Sequence, residues 1–129
     1  MERVERLVGV YDADGTVLGE LAYVVGHALG RRSCSLCDIT HGTLRRKAAF
    51  DVAAGELPVP LVLLHRDEQP AALAALTAGR LPCVVADGGG DLTVLLGPDA
   101  LDICAGDPRA LVDAIRSAAA TRGLALDAA

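Results

Sequence analysis

The pattern of apolar positions begins with a short strand and a turn. Residues 6–11 form an apolar run, and residues 12–15, which follow it, read Asp-Ala-Asp-Gly, a turn sequence. Over residues 17–29 the apolar side chains recur at helical spacing, which predicts a helix. Gly30 ends this pattern, so the chain is predicted to open with a strand, a turn and a helix.

A second helix is predicted after a basic stretch. Ser33 is placed to cap it, and its first turn carries Cys34 and Cys37. Gly42 interrupts or bends this helix, and residues 44–54 continue with a helical pattern. The two cysteines are therefore predicted at the N-terminus of a helix.

The middle of the chain predicts a strand and then a helix. Residues 58–65 are apolar and contain two prolines, which favours a buried central strand entered after Pro60. Pro70 can occupy the first turn of a helix over residues 71–78, and Gly79 stops that helix.

The last third of the chain predicts a hairpin and a helix. Residues 81–86 and 92–96 are apolar runs, and the glycine-rich residues 87–90 between them form the turn. Residues 101–104 are short and fit either a helix or a strand. Residues 108–121 predict an amphipathic helix with one apolar face, formed by Leu111, Val112, Ile115 and Ala119.

The composition favours one α/β domain with an aliphatic core. The 129 residues are 52% hydrophobic but include one Phe, two Tyr and no Trp. A chain of this size can bury a single core, so residues 1–129 are interpreted as one domain. The scarcity of aromatic rings and the net charge of −5 argue against a nucleic-acid partner. Binding to a phosphate backbone depends on clustered Lys and Arg, and binding to unpaired bases depends on stacking.

The expected compartment follows from what the sequence lacks. Residues 1–6 are mostly charged, and there is neither the apolar segment of a signal peptide nor a run of about 20 apolar residues. We therefore expect a cytoplasmic protein without a membrane partner. In a reducing compartment, four cysteines are expected to be metal-binding, catalytic or buried rather than paired in structural disulfides.

The order of the predicted elements resembles the thioredoxin superfamily. In that superfamily a Cys-x-x-Cys pair opens the first core helix, and a proline in a cis peptide precedes the third strand and faces the pair. Cys34 and Cys37 match the pair, and Pro82 matches the proline. The resemblance implies a single thioredoxin-like domain with a central mixed β-sheet of about four strands flanked by helices. It also implies that Pro82 shapes the substrate groove.

Two features depart from the superfamily pattern. An additional helix is predicted between the first strand and the cysteine pair, and Ser33 replaces the usual aromatic residue before the first cysteine. The segment Cys-x-x-Cys-Asp-Ile-Thr-His-Gly is also similar to a set of uncharacterised bacterial proteins of similar length.

A cysteine in the first turn of a helix is suited to act as a nucleophile. Unpaired backbone N–H groups and the positive end of the helix dipole stabilise a thiolate there. Cys34 is thus predicted to attack, and Cys37, three residues later on the same face, to resolve the mixed disulfide. His41 falls on that face too, as a proton acceptor or as a neighbour that tunes the thiolate. The predicted function is thiol–disulfide exchange, without a cofactor, with a protein or small-molecule thiol or disulfide.

The same side chains fit a metal site. Cys34, Cys37 and His41 form C-x2-C-x3-H, a set of ligands suited to Zn²⁺ or Cu⁺. Cys83, immediately after Pro82, is the best candidate for a fourth ligand. The alternative function is therefore a non-enzymatic metal-binding or partner-binding module.

The other cysteines and histidines also have structural interpretations. Cys83 and Cys104 both fit core positions, since cysteine is among the most buried residue types. His27 on a predicted helix and His65 at a strand end fit structural or solvated roles.

A remote alternative comes from residues 12–16. They read Asp-Ala-Asp-Gly-Thr, similar to the DxDGT signature of the haloacid dehalogenase phosphatases, in which the first Asp attacks phosphorus. Asp87 and Asp91 imitate the later acidic motif of that family. However, the strand predicted before His65 ends in no Ser or Thr to hold a phosphoryl group, so an ordinary acidic turn is favoured.

Overall fold

The computed structural model describes residues 2–12, Leu36 and residues 48–126. The helix predicted over residues 17–29 lies outside these residues. The predicted cysteine-bearing helix does so as well, except for Leu36, which is helical.

A four-stranded mixed sheet organises the described part of the chain. The strands in chain order are β1 (Glu2–Arg3), β2 (Arg6–Val10), β3 (Leu61–Leu64), β4 (Cys83–Asp87), β5 (Leu92–Leu96) and β6 (Leu124–Ala125). The spatial order of the main sheet is β3-β2-β4-β5, and β1 pairs with β6 in a second, two-stranded sheet. β2 runs parallel to β3, whereas the β2–β4 and β4–β5 pairs are antiparallel. The expected mixed sheet of about four strands is thereby confirmed.

Helices flank this sheet on both faces. The helical elements are α1 (Ala48–Gly55), a 3₁₀ turn (Arg66–Glu68), α2 (Ala71–Thr77), α3 (Pro98–Ile103) and α4 (Pro108–Thr121). Side chains of α1, α3 and α4 share one buried cluster with Leu7 and Val84, while Leu73 of α2 packs with Val8 and Val10. Successive side chains of a strand point to opposite faces, so these two clusters lie on opposite sides of the sheet. Among the described helices, none is long and apolar enough to cross a membrane.

The C-terminal helix α4 matches its prediction at both ends. It begins at Pro108 and ends at Thr121, and the predicted apolar face of Leu111, Val112, Ile115 and Ala119 is buried. The Asp107 side chain caps the helix by accepting a hydrogen bond from the backbone N–H of Arg109 at 3.0 Å. The amphipathic period and the cap therefore specify this element locally.

The position of β3 differs from the prediction of a buried central strand. In the described sheet β3 lies at the edge and pairs with β2, and its four side chains are half-buried. An apolar run indicates that a strand contacts apolar neighbours, but it does not indicate how many strands pair with it. Among the residues that the structure describes, the predicted central position of this strand is therefore not found.

Two further elements are too short for their secondary structure to be predicted from the spacing of apolar residues. Residues 101–104, which fitted either class, belong to the end of α3 and the turn after it. The β1–β6 pair has two residues in each strand, too few for any periodicity.

The predicted hairpin is present as β4 and β5. Its turn contains Gly89 and Gly90 with positive φ angles of 74° and 109°, a conformation that favours glycine. The Asp87 side chain accepts a hydrogen bond from the backbone N–H of Gly90 at 2.9 Å and closes the turn. Just before β4, the peptide between Leu81 and Pro82 is cis, as the resemblance implied for this proline.

A close approach at Gly9 connects β2 to the cysteine-bearing segment. Leu36 is fully buried, and a Cβ atom at Gly9 would stand 3.3 Å from Leu36 Cδ2 and 3.0 Å from Leu63 Cδ2. Both leucine side chains thus occupy the space that a side chain at Gly9 would need. The absence of a side chain at this position lets Leu36 lie directly on the sheet.

We expect Gly9→Ala to lower the free energy of unfolding by about 1–2 kcal/mol, because an added methyl group overpacks a filled core. Gly55→Ala is the matched control, since a Cβ at Gly55 meets nothing within 4 Å and alanine favours a helix. Urea unfolding of the two variants and the wild type measures the difference. Wild-type stability for Gly9→Ala would show that Leu36 and Leu63 can move aside.

Candidate functional site

Three elements bring side chains to one end of the sheet. Tyr11 follows β2 and His65 follows β3, and the Tyr11 backbone N–H donates to the Leu64 carbonyl at 2.9 Å. Pro82 precedes β4, whose first residue, Cys83, pairs with Val10. We call this end, formed by Tyr11, Asp12, His65 and Pro82, the carboxyl edge. In open α/β sheets, ligands bind outside the carboxyl ends of the parallel strands.

A histidine–glutamate pair is fixed at the carboxyl edge. One carboxylate oxygen of Glu68 lies 2.6 Å from His65 Nδ1 and accepts the His65 backbone N–H at 2.6 Å. The Glu68 backbone N–H in turn donates to the His65 carbonyl at 3.0 Å. The backbone hydrogen bond, and after it the side-chain hydrogen bond, from His65 hold the pKa of Glu68 below its ordinary value of 4.5.

The His65 ring also packs on an aromatic neighbour. The ring centroids of Tyr11 and His65 are 5.1 Å apart with a tilt of 52° between the planes. Tyr11 is almost fully buried, with 3% of its surface exposed, so it presents a fixed wall to the imidazole. Glu68 and Tyr11 together restrict the orientation of the ring.

The turn that carries Glu68 is supported from two sides. The hydroxyl of the fully buried Thr77 in α2 donates to Gln69 Oε1 at 2.6 Å, and Gln69 Nε2 donates to the Arg66 carbonyl at 3.0 Å. An Arg66 guanidinium nitrogen lies 3.5 Å from Asp12 Oδ1 at the end of β2. The 3₁₀ turn is therefore connected to both α2 and β2.

A carboxylate at Nδ1 has a chemical consequence for the imidazole. A neutral histidine whose Nδ1 faces a carboxylate carries its proton on Nδ1, which leaves the lone pair on Nε2. The Glu68 carboxylate at Nδ1 thus favours this tautomer and fixes the orientation of the His65 ring.

The other predicted site residues are distributed as follows. Cys34, Cys37 and His41 lie outside the described residues, and Pro82 is at the carboxyl edge. Leu36, which stands between the two cysteines in sequence, packs on Gly9 and joins the cluster that contains Tyr11.

Cys83 faces the other side of the sheet. Its side chain is fully buried with Val8, Val10, Leu73 and Val85, whereas Leu36 belongs to the cluster on the opposite face. Side chains alternate along β4, so the residue directly after Pro82 turns away from that face. Burial raises the pKa of Cys83 to about 11, and the Arg80 charge opposes this rise. This placement favours a core cysteine and gives no support to Cys83 as a fourth metal ligand.

Cys104 is also a core residue. It is buried at the end of α3, and its thiol donates to the Ala100 carbonyl at 3.5 Å. Burial, and after it the nearby Asp107 charge, raise the pKa of Cys104. Among the described residues, no three His, Cys, Asp or Glu side chains are grouped so that they could hold a metal ion.

Two of the acids in the phosphatase alternative, Asp12 and Asp87, lie at opposite ends of β2, whereas Asp14 lies outside the described residues. Asp12 is at the carboxyl edge, while Asp87 pairs in register with Arg6 at the other end of the strand and contacts its guanidinium at 2.8 Å. At about 3.3 Å per residue, the six residues from Arg6 to Asp12 span about 20 Å. The hydrogen bond from Gly90 and then that from Arg6 lower the pKa of Asp87. Asp87 is thus a structural partner of β2 and does not share a site with Asp12.

The histidine–glutamate pair was missed by sequence reasoning, which assigned His65 a structural or solvated role. The available signal was the spacing His65-x-x-Glu68 directly after an apolar strand. That spacing also fits a capping box, so it does not by itself indicate a site.

Comparison with models of known protein families, with curated proteins and with solved structures found no match. The function is therefore inferred from the residues and geometry of the chain itself.

Burial of Cys83 predicts low reactivity in the folded chain. With a pKa of about 11, very little thiolate is present near neutral pH, and the side chain is fully covered. We expect iodoacetamide at about pH 8 to leave Cys83 unmodified in the native protein and to alkylate it after unfolding in guanidinium. Peptide mass spectrometry identifies the modified cysteine. Rapid alkylation of Cys83 in the native protein would contradict its core position.

The lowered pKa of Glu68 predicts a pH-dependent contribution to stability. The ionised carboxylate stabilises the fold above its ordinary pKa of 4.5, and this contribution is lost as the pH falls through the lowered value. Between about pH 6 and about pH 3, the wild type should therefore lose more stability in urea unfolding than Glu68→Gln. Equal pH dependence of Glu68→Gln and the wild type would refute the role of this carboxylate.

Proposed function

We propose that this chain is a thioredoxin-like thiol–disulfide oxidoreductase in which Cys34 attacks and Cys37 resolves. The order of the elements supports the fold: β2, helical segments, β3, α2, the β4–β5 hairpin and the terminal helices follow one another as in the resemblance. β4 is the third strand of the main sheet along the chain, and Pro82 comes directly before it. This is the position expected of the proline that faces the cysteine pair.

The observation that carries the proposal is the position of Leu36. This residue, one of the two between the cysteines, is helical and packs on Gly9 next to the last residue of β2. Consecutive Cα atoms are about 3.8 Å apart. Cys34 is two residues before Leu36 and Cys37 is one residue after it. Pro82 lies at the same end of β2, because Cys83 pairs with Val10.

The proposed chemistry balances without a cofactor. The Cys34 thiolate attacks one sulfur of a partner disulfide, whose S–S bond breaks, and the departing thiolate takes up a proton. The Cys37 thiolate then displaces the second partner thiol from Cys34. The cysteine pair ends as an intramolecular disulfide, oxidised by two electrons, and the partner disulfide ends as two thiols. The partner is a protein or a small molecule that carries a disulfide.

The substitutions at the two cysteines have different expected outcomes. Cys34→Ser should abolish reduction of oxidised glutathione, because the attacking sulfur is gone. Cys37→Ser should still form the first bond and accumulate a mixed disulfide, which intact-protein mass spectrometry detects as an added glutathione. Cys104→Ala, a change in a core cysteine, is the control and should keep the activity. Activity that survives Cys34→Ser would overturn the assignment.

Metal content separates this proposal from the alternative. Zn²⁺ or Cu⁺ purified with the chain in equimolar amount, and lost in a Cys34→Ser, Cys37→Ser double variant, would favour the metal-binding module. Elemental analysis of the freshly purified reduced protein measures this. The oxidoreductase proposal expects no stoichiometric metal.

A further inference from the structure

We infer that Asp87 is an acid-sensitive switch that holds the two-stranded sheet of β1 and β6 against the main sheet. When the Asp87 carboxylate takes up a proton from solvent, β1 and β6 separate from the main sheet while β2, β3 and β4 stay paired. The switch lies at the end of β2 opposite the carboxyl edge, so it does not rest on the proposed function. Its basis is the pair of donors at the carboxylate, the backbone contacts of β1 and the small size of the β1–β6 pair.

Both oxygens of the Asp87 carboxylate face N–H donors. Arg6 Nε donates to Oδ2 at 2.8 Å, and the backbone N–H of Gly90 donates to Oδ1 at 2.9 Å. A protonated carboxyl group carries a hydrogen on one of its oxygens, and that oxygen then meets another donor. Whichever oxygen is protonated, one of the two hydrogen bonds is disturbed, and the charge that pairs with Arg6 is lost as well. Asp87 is only 9% exposed, so water replaces these partners poorly unless the chain opens.

The backbone of the same residue holds the segment that follows β1. The Asp87 carbonyl accepts the backbone N–H of Glu5 at 2.9 Å, at the end of the β2–β4 ladder, whose last pair is Arg6 with Asp87. The preceding N–H, that of Val4, donates to the Ala125 carbonyl at 2.8 Å. β1 comes directly before Val4 and pairs with β6. A disturbance at Asp87 therefore acts on the residues that join β1 and β6 to the main sheet.

The β1–β6 pair is small compared with the main sheet. It has two residue pairs, whereas β2 forms four pairs with β3 and five with β4. The flanking residues Val4 and Leu126 are buried in the core and anchor the two short strands. A segment with few hydrogen bonds and few buried side chains opens more often than the rest of a fold. Loss of the Asp87 contacts is therefore expected to separate β1 and β6 first.

The direction of the pH effect follows from the pKa of Asp87. The hydrogen bond from Gly90, and after it that from Arg6, hold this pKa below its ordinary value of 3.8. The contribution of the carboxylate is therefore present above pH 3.8 and is lost as the pH falls through the lowered value. The β1 and β6 strands should stay in place in mildly acidic solution and separate in strong acid.

Charged groups from several described segments surround the switch. Arg6 of β2 contacts the Asp87 carboxylate. Arg3 of β1, Glu5 and Asp91 line an adjacent cavity of about 310 Å³, and β1 and β6 form one of its walls. Separation of β1 and β6 removes this wall, so the same protonation opens the cavity further to solvent.

The test is amide hydrogen exchange of the full-length chain, followed by NMR and corrected for the intrinsic exchange rate at each pH. The amides of Val4 and Glu5 report on the switch, and that of Leu7, which donates to the Pro60 carbonyl at 2.8 Å, reports on the main sheet. Between about pH 5 and about pH 2.5, we expect the protection of Val4 and Glu5 relative to Leu7 to fall about tenfold or more. An unchanged ratio would overturn the inference. So would an equal loss at all three amides, because global acid unfolding behaves in that way.

Two variants of the hairpin assign the effect to one carboxylate. Asp87→Asn keeps an oxygen for the Gly90 N–H but removes the charge that pairs with Arg6, so it should show the low ratio already at about pH 5 and change little on acidification. Asp91→Asn removes an exposed carboxylate from the same hairpin and should behave as the wild type. The inference is wrong if Asp91→Asn reproduces Asp87→Asn, or if Asp87→Asn keeps the wild-type pH dependence. The wild-type pH series decides the question even where Asp87→Asn does not fold.

Discussion

Pairing of β2 on both of its edges is the constraint on which the other elements depend. This strand is hydrogen-bonded in parallel to β3 and antiparallel to β4, and Leu7, Val8 and Val10 are at most 1% exposed. A strand buried on both faces has a strongly specified register, since a slip of one residue would exchange the two clusters. Gly9 has no side chain, so Leu36 can pack directly against the strand at this position. The register of β2 thus determines which residues meet at the carboxyl edge.

The carboxyl edge combines structural and chemical roles in one carboxylate. Glu68 closes a capping box around the 3₁₀ turn, and the same oxygen faces His65 Nδ1. A side chain held by its own turn loses little additional entropy when it orients a neighbour. The buried Thr77 hydroxyl extends the support into α2, where it bonds Gln69. The imidazole is consequently held by groups that are part of the fold.

The two cysteines among the described residues are core residues and are not part of the histidine–glutamate pair. Cys83 and Cys104 are buried in apolar clusters, and burial raises the pKa of both thiols. A protonated, covered thiol is neither a good nucleophile nor a good metal ligand. Any reactive thiol chemistry of this chain is therefore proposed for Cys34 and Cys37.

The sequence by itself determined the elements with strong local signals. The bounds of α4 and its buried face, the β4–β5 hairpin and the strand at β2 all follow from period, capping and turn residues that lie within the element. Cys34, Cys37 and His41 could be proposed as a site because their spacing on a helix is itself local. Pro82 could be assigned before β4 through a resemblance in the order of the elements.

Tertiary structure alone decided the position of β3 at the edge of the described sheet, the face of the sheet on which Cys83 lies and the meeting of Tyr11, His65 and Glu68. These features depend on which strands pair and in which register. The apolar character of a run such as Leu61–Leu64 does not show whether the strand pairs with one neighbouring strand or with two. The same holds for His65: its spacing to Glu68 is visible in the sequence, but its proximity to Tyr11 arises because β2 and β3 are parallel and end at the same edge.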